Sequence, residues 1–178
     1  ETLSLPISVG FSVNKESLKV IGNEVKEITK DTLTIRDQSG AIAIAGIIGG
    51  ADTAVSDSTK SIAIEAAFFS PESLMNKARQ YGLSTDASTR FERGVDPSIQ
   101  AFALERYLDL LEEIASFKLI GCNKLEKKTN FAKKITLNYQ DFESFAGVKI
   151  SKKFITRTLK LLGFIEIDSS KTGLTIST

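Results

Sequence analysis

The sequence predicts an α+β fold in which a mostly β first domain precedes a small α-rich one. Short apolar or alternating segments separated by Gly and Asn turn signals fill residues 16–69, as expected for strands. Apolar residues at helical spacing then follow in both halves of the chain. A charged, mostly polar stretch at 126–134 reads as a linker between a first domain at 1–125 and a second at 135–178.

The composition is ordinary for a globular protein and excludes several kinds of chemistry. The chain has 178 residues, of which 42% are apolar and 25% charged, with a formal net charge of +1. It contains no His, so no Ser-His-Asp or Cys-His mechanism can be assembled from it, and no metal site is predicted. Cys122 is the single cysteine, and the apolar runs are shorter than the roughly 20 residues of a membrane helix. We expect a cytoplasmic protein without membrane contact and without a large electrostatic nucleic-acid footprint, although a short single-stranded end is compatible with this charge.

Two hairpins are predicted near the start of the first domain. Gly22-Asn23 marks the turn of the first, within SLKVIGNEVKEI. The second covers 31–50, where DQSG at 37–40 separates an alternating strand from the apolar run AIAIAGII. Because that run has no polar position, its strand should be buried on both faces.

The rest of the first domain predicts a strand, two helices and a final strand. SIAIEAAFF at 61–69 alternates as a strand does, and Ser70-Pro71-Glu72 favours a helix that ends at Gly82. Residues 83–97, LSTDASTRFERGVDP, lack clear periodicity and predict a loop. A second helix is expected from Asp96-Pro97 to about Ser116, and 117–121 is expected to be a strand.

The second domain predicts strands and helices in alternation. The elements expected are a strand from Ile135, a short helix at 141–147, a helix from Lys152 to about Leu162 capped by Ser151 and ended by Gly163, and strands in FIEI and GLTIST. About 44 residues are few for an independent core, so we expect this domain to be truncated.

Some residues of the first domain have both a structural and a functional interpretation. Glu65 puts a carboxylate in an apolar strand, where it either faces water or binds a donor. Gly49-Gly50 is either a tight turn or a place where a ligand approaches the backbone. The TDAS segment from Thr85 to Ser88 suits capping, and TRFERG at 89–94 suits a salt-bridged loop or an arginine that holds phosphates.

Three blocks in a fixed order carry a resemblance to a known family. They are AIAGIIGG at 43–50, VSDSTKSIAIEAAFFSP at 55–71 and ARQYGLSTDASTRFERGVDP at 78–97. They resemble the editing domain of the phenylalanyl-tRNA synthetase β subunit, and NYQDFESFAGVKISKKFITRTLKLLGFIE resembles the helical domain that follows it there. The resemblance implies a layered β-sandwich with packed helices, incomplete at its N-terminus, followed by a winged-helix-like unit.

The resemblance also implies a function. The region would bind the 3′ end of tRNA(Phe) and hydrolyse wrongly attached tyrosine, as a second sieve for a synthetic pocket of limited stringency. Aminoacylation, with its ATP and Mg²⁺, would take place in the α subunit of an assembly of two α and two β subunits. No cofactor is expected in this chain.

Roles for individual residues follow from the same resemblance. The position of Glu65 recognises the para-hydroxyl of tyrosine, because a carboxylate accepts a hydrogen bond from a phenol and phenylalanine offers none. The remaining expected substrate contacts are Gly49, Gly50, Thr85, Ala87 and Ser88, and Arg90 and Arg93 are candidates for RNA binding. Ala87 leaves room for an aromatic ring, and Thr85 is the best side chain to orient a water or the substrate.

Ester hydrolysis needs an activated water and stabilisation of the developing oxyanion. The family pocket has a His in a segment upstream of the blocks matched here. Since this chain has none, we expect that it begins inside the domain and edits weakly alone. A positioned water, assisted by polar groups of the pocket and the terminal hydroxyl of the tRNA, is our mechanistic hypothesis.

Two other functions are open at this point. In the first, the same fold serves as a non-catalytic module that presents the Gly-Gly turn and the TDAS segment to an amino acid or a protein. Alternatively, residues 135–178 bind nucleic acid through a helix bearing Lys152, Lys153, Arg157 and Lys160. These cations share a face only in part, and the apolar residues Phe154, Leu159 and Leu162 of that helix imply packing, so we prefer a scaffold role.

Overall fold

A computed structural model describes residues 3–13, 15–125 and 132–177, and the chain divides into two compact units, 1–118 and 119–178. Most of the predicted linker at 126–134 lies outside the described residues. The strands of the first unit are β1 (Ser8–Phe11), β2 (Glu16–Lys19), β3 (Val25–Ile28), β4 (Leu33–Asp37), β5 (Gly40–Ile44) and β6 (Ile48–Gly49). Its helices are α1 (Pro71–Leu74), α2 (Lys77–Gln80), α3 (Asp86–Arg93) and α4 (Gln100–Ile114). The α+β class is therefore confirmed.

Both predicted hairpins are present. β2 pairs with β3 through a turn in which Gly22 and Asn23 have φ angles of +98° and +68°. β4 pairs with β5 across Gln38-Ser39, within an antiparallel sheet of order β1-β4-β5-β6. The apolar run does not form a single strand, however, because Gly46 with φ +67° turns the chain between β5 and β6. No residue from 40 to 50 is exposed, in agreement with the predicted burial.

The predicted strand at 61–69 is wrong. Residues 59–70 pair with no strand in the described chain, and Ile62 and Ile64 are exposed. An alternating pattern indicates on which face each side chain lies. A strand also needs the unpaired edge of a neighbouring strand with which its backbone can form hydrogen bonds. The segment is fixed at its end instead, where Phe69 is buried and its ring lies 5.2 Å from that of Phe91.

The helices after this segment also differ from prediction. The helix expected from Pro71 to Tyr81 is split into α1 and α2, because Asn76 adopts φ +61°, a value that an α-helix cannot contain. The chain does leave α2 before Gly82, which has φ +64° as expected of a helix-ending glycine.

Two further corrections concern residues 83–121. The expected loop contains α3, a helix too short and too polar to show an apolar period. The helix expected from Asp96 starts at Gln100, because the Asp96 carboxylate accepts the N–H of Ser98 at 2.8 Å and forms a turn instead. The strand expected at 117–121 is absent.

Two clusters form the core of the first unit. The β2–β3 hairpin and α2 pack against β5 and the turn that follows it, through Leu18, Val20, Ile28, Ile44, Ile47, Ala78 and Tyr81. A second cluster joins the other part of that turn to the helices, through Ala45, Phe69 and Leu74, with Leu33, Ile35, Ala67 and Phe91 against it. The turn between β5 and β6 is therefore held from two sides.

The second unit agrees closely with prediction. It contains β7 (Lys134–Asn138), α5 (Tyr139–Ala146), α6 (Lys152–Leu161), β8 (Ile165–Ser169) and β9 (Gly173–Ser177), with an antiparallel sheet of order β7-β9-β8. Ser151 caps α6 by accepting the N–H of Phe154 at 3.2 Å. α5 begins two residues earlier than predicted, because the Asn138 side chain caps it. The winged-helix assignment remains a prediction.

Both helices of the second unit lie on one apolar cluster. Its buried members are Tyr139, Ile155, Leu174 and Ile176. Across the part of the chain that the structure describes, no helix has the length and apolar character needed to cross a membrane.

A buried polar network fastens α2 to the strands. The hydroxyl of Tyr81 lies 2.5 Å from that of Thr32 and 3.1 Å from that of Thr29, and it accepts the backbone N–H of Thr29 at 3.0 Å. Thr32 is almost fully buried, so its hydroxyl has no water to replace this contact.

Tyr81→Phe should therefore lower the free energy of unfolding by about 1–3 kcal/mol, because it leaves the Thr29 amide without its acceptor and the buried Thr32 hydroxyl with only the Thr29 hydroxyl, 2.9 Å away, as a partner. Urea denaturation followed by circular dichroism measures the change. Tyr107→Phe on α4 is the matched control, since the Tyr107 hydroxyl makes no hydrogen bond within the described residues. Equal stability of the two variants would contradict the assigned role of Tyr81.

Candidate functional site

Thr85 starts α3 and organises its first turn. Its Oγ1 accepts the N–H of Ser88 at 3.0 Å, and the Ser88 hydroxyl accepts the N–H of Thr85 at 3.0 Å. This reciprocal capping box satisfies amides that the helix leaves free. The capping interpretation of TDAS is thus what the structure displays.

Thr85 also bonds outside its own helix. Its Oγ1 donates to the backbone carbonyl of Ile47 at 2.7 Å, in the turn between β5 and β6. Gly49 and Gly50 follow two and three residues later. One hydroxyl therefore joins the TDAS segment to the turn between β5 and β6, although 38 residues separate Thr85 from Ile47. Residues 46–50 and 85–88 are called the candidate site below.

Gly49 and Gly50 do not form the predicted tight turn, because Gly49 belongs to β6 and Gly50 makes a β-bridge with Val20. The two glycines differ in what surrounds them. A Cβ on Gly50 would lie 2.7 Å from the carbonyl oxygen of Ile42, and the Gly50 N–H donates to that oxygen at 2.8 Å. A Cβ on Gly49 would meet only the Ile21 Cδ1, at 3.4 Å. Strand packing thus requires a glycine at position 50. At position 49 there is space for a side chain, so packing does not account for the glycine there.

Gly46 was not among the predicted site residues, and the structure places it in the turn between β5 and β6, next to Ile47. A Cβ there would lie 2.8 Å from Leu74 Cδ1 and 3.1 Å from Phe69, and its φ is positive. The signal in the sequence was a glycine inside an otherwise apolar run, AIAGIIGG, which marks a turn or close backbone approach.

The other predicted site residues of α3 differ in their exposure to solvent. Ala87 is half-buried and Ser88 is buried within the capping box. Arg90 and Arg93 are exposed, and Arg90 lies 3.7 Å from the Asp86 carboxylate in an exposed pair that contributes little stability. Both guanidinium groups are thus accessible to an anion.

Glu65 lies in the unpaired segment 59–70, and the structure shows no contact between it and the candidate site. The residue is exposed, and it makes no hydrogen bond or ion pair within the described residues. Protein atoms nevertheless crowd its carboxyl enough to raise its pKa by desolvation.

The chemistry available at the site is limited by the hydroxyl of Thr85. Its hydrogen is committed to the Ile47 carbonyl, so it offers a water or a substrate only an acceptor lone pair. Among the described residues no group of His, Cys, Asp or Glu is arranged to hold a metal ion.

Comparison with known proteins identifies the class. The model of the B3/4 domain family matches residues 1–116, and the chain belongs to this family. Over most of its length, the chain is also similar to the phenylalanine–tRNA ligase beta subunit of Idiomarina loihiensis. The two are 38% identical over 166 residues, which cover 92% of this chain and 21% of the relative. The same subunit of Francisella tularensis is 38% identical over 158 residues, which cover 88% of this chain and 20% of the relative. That of Methylococcus capsulatus is 47% identical over 115 residues, which cover 65% of this chain and 14% of the relative.

The similarity confirms the resemblance carried by the three sequence blocks. The chain spans about a fifth of the length of these relatives. These relatives share the name phenylalanine–tRNA ligase beta subunit, and the chain matches one part of that subunit.

The two glycines provide a test of which one packing requires. Gly50→Ala should lower the free energy of unfolding by about 1–3 kcal/mol, because its Cβ would overlap the Ile42 carbonyl. Gly49→Ala should change it by no more than about 0.5 kcal/mol, since its Cβ makes an ordinary contact. Urea unfolding of both variants measures the difference, and equal destabilisation would contradict the assignment.

The desolvated carboxyl of Glu65 predicts a pH-dependent effect on stability. A raised folded-state pKa means that ionisation costs stability. The cost is absent below the ordinary value of 4.5, grows as pH rises through the raised pKa and stays constant above it. Glu65→Gln should therefore be more stable than wild type at pH 7 and equal to it at pH 4.

Glu72→Gln is the control of opposite sign. The Ser70 hydroxyl lowers the pKa of Glu72, so ionised Glu72 favours the folded state above pH 4.5. Thermal unfolding of both variants across this range measures the sign of each difference. A loss of stability at pH 7 for Glu65→Gln would contradict its desolvation.

Proposed function

We propose that this chain forms the part of a phenylalanine–tRNA ligase β subunit that hydrolyses tyrosine wrongly attached to tRNA(Phe). The observation that supports it is the hydrogen bond from Thr85 to Ile47, which joins the AIAGIIGG block to the TDAS segment. These are two of the blocks through which the sequence resembles an editing domain. We assign aminoacylation, with ATP and Mg²⁺, to the α subunit.

The substrate would be selected by one carboxylate. Ionised Glu65 accepts a hydrogen bond from the phenol of tyrosine, whereas phenylalanine has no donor and would leave that carboxylate unpaired. The carboxyl oxygens of Glu65 make no hydrogen bond within the described residues and are available to accept one, which supports this role. Docking of the amino acid would have to bring the hydroxyl to segment 59–70.

The small residues of the candidate site would make room for the ring. Gly49 has no side chain although its surroundings admit one, and Ala87 presents only a methyl group on the first turn of α3. Thr85 would complete this surface with an oxygen, whereas the Ser88 hydroxyl is buried and bonded within the capping box, so Ser88 would act by holding Thr85 in place. Exposed Arg90 and Arg93, on the next turns, would bind phosphates at the RNA end.

The reaction is hydrolysis of an ester. The oxygen of a water attacks the carbonyl carbon, an oxyanion develops, and the bond to the terminal ribose oxygen breaks to release tyrosine and tRNA. The water loses a proton and the ribose oxygen gains one. Thr85 would orient the water as an acceptor, and we assign the proton transfer to the terminal ribose hydroxyl of the tRNA, because this chain supplies no His.

A binding module without catalysis is the second candidate function. The observation in its favour is that the Thr85 hydrogen is already bonded to Ile47, so the site displays no activated donor or base. Under this alternative, Tyr-tRNA(Phe) binds at the candidate site and is not hydrolysed faster than in buffer.

The test is deacylation of purified Tyr-tRNA(Phe) by the assembled ligase that carries this chain. Ala87→Trp should lower kcat/KM by at least about tenfold by filling the site, and Glu65→Ala by about 10- to 100-fold through loss of a charged hydrogen bond. Ala54→Trp, in an exposed loop, is the control for added bulk.

Unchanged deacylation in both site variants would overturn the editing proposal. Binding of Tyr-tRNA(Phe) that both variants weaken, without hydrolysis by wild type, would establish the second candidate instead. Thermal unfolding of each variant distinguishes loss of function from loss of fold.

A further inference from the structure

A concavity of about 630 Å³ lies on the second unit, where no function has been assigned so far. It opens to solvent between α6 and the end of β8. Its charged lining consists of Lys152, Lys153, Arg157 and Lys160 from the helix and one carboxylate, Glu166, with Ser169 and Ser170 beyond them. The helical pattern predicted that these four cations share a face only in part, but in the structure all four line one concavity. This concavity is called the α6 groove.

The charge of the chain is unevenly distributed. Residues 132–177 contain eight lysines and arginines but only four aspartates and glutamates, whereas the whole chain has a formal net charge of +1. The near neutrality of the chain thus conceals a basic second unit and a correspondingly acidic remainder. Such asymmetry between parts of a chain is typical of contact with a polyanion.

Two of the four cations are already engaged. The Lys152 Nζ donates to the Lys171 carbonyl and lies 4.8 Å from the centre of the Tyr139 ring. The Lys160 Nζ lies 3.3 Å from the Glu166 carboxylate. These contacts fix the two ends of the cationic row on the surface of the unit.

Lys153 and Arg157 are the available pair. Neither forms an ion pair or hydrogen bond through its side chain within the described residues, and both are exposed. They are four residues apart on α6, so their Cβ atoms are about 5–6 Å apart on one side of the helix. Two cations at this spacing suit two neighbouring phosphates better than one small anion.

The helix that carries them is rigidly mounted. Ile155 is buried and Leu159 packs beside it, which fixes the rotation of α6 and directs residues 153 and 157 outward. Phe154 and Leu162 are exposed, so the packing that suggested a pure scaffold role applies only to Leu159. A preorganised row of cations loses less entropy on binding than cations on a loop.

We propose that the α6 groove binds the phosphate backbone of a single RNA strand, as a contact separate from the candidate site. The choice of RNA rests on the proposed function, in which this chain handles tRNA. Lys153 and Arg157 bind successive phosphates, and the Ser169 and Ser170 hydroxyls line the same groove. Recognition is by charge, and the groove has no base-reading aromatic surface because Tyr139 is covered by Lys152.

Fluorescence anisotropy of a labelled oligouridylate of about 12 nucleotides, titrated with the full 178-residue chain at several salt concentrations, tests this proposal. Lys153→Ala/Arg157→Ala should weaken binding at least about tenfold and make the dependence of log K on log salt shallower by about 1.4, or 0.7 per lost contact. Lys60→Ala/Arg106→Ala removes two exposed cations from the first unit and is the matched control.

The expected result is that the control double variant and the charge-preserving Lys153→Arg/Arg157→Lys variant bind as wild type does. Equal weakening by the control, or no effect of the groove variant, would overturn the proposal. Full competition by ATP or inorganic phosphate at equal phosphate concentration would also overturn it, since a strand held at two phosphates should outcompete either. This binding assay contains no aminoacyl ester, so its outcome is independent of the deacylation assay that tests the editing proposal.

Discussion

The hydrogen bond between the Thr85 hydroxyl and the Ile47 carbonyl is the contact on which the first unit depends. The same hydroxyl caps α3, so one side chain sets the start of that helix and its position against the sheet. The turn it touches is held on its other sides by Tyr81 and by Phe69, which belong to separate core clusters. Residues far apart in the chain are thereby arranged around one short piece of backbone.

Elements with local signals could be predicted from the sequence. Gly22-Asn23 and DQSG dictate hairpin turns by backbone conformation, and Ser151 and Gly163 bracket α6, so these boundaries were confirmed. The strand at 61–69 failed because pairing depends on a neighbouring edge that alternation does not reveal. α3 was missed because a capped helix of eight residues needs no apolar period.

The motif blocks indicated Gly49, Gly50 and the TDAS segment as site residues, and their roles remain predictions. The structure adds the bond between Thr85 and Ile47, two residues before Gly49. That Thr85 reaches Ile47 could not be anticipated, because its acceptor is a backbone carbonyl, which every residue has. Glu65 differs, since its role depends on a ligand, and neither pattern nor contacts place it against the turn.

The unpaired segment 59–70 has a consequence for how such a protein changes over evolutionary time. Its carboxylate belongs to a stretch without strand pairing, whereas Thr85 and Gly50 are built into capping and packing. Exposed residues of the stretch, such as Ile62 and Ile64, can be replaced at little cost to folding, whereas substitutions at Thr85 or Gly50 disturb a helix cap or the strand packing. Under the proposed function, the residue that selects the amino acid would therefore be freer to change than the residues that hold the fold.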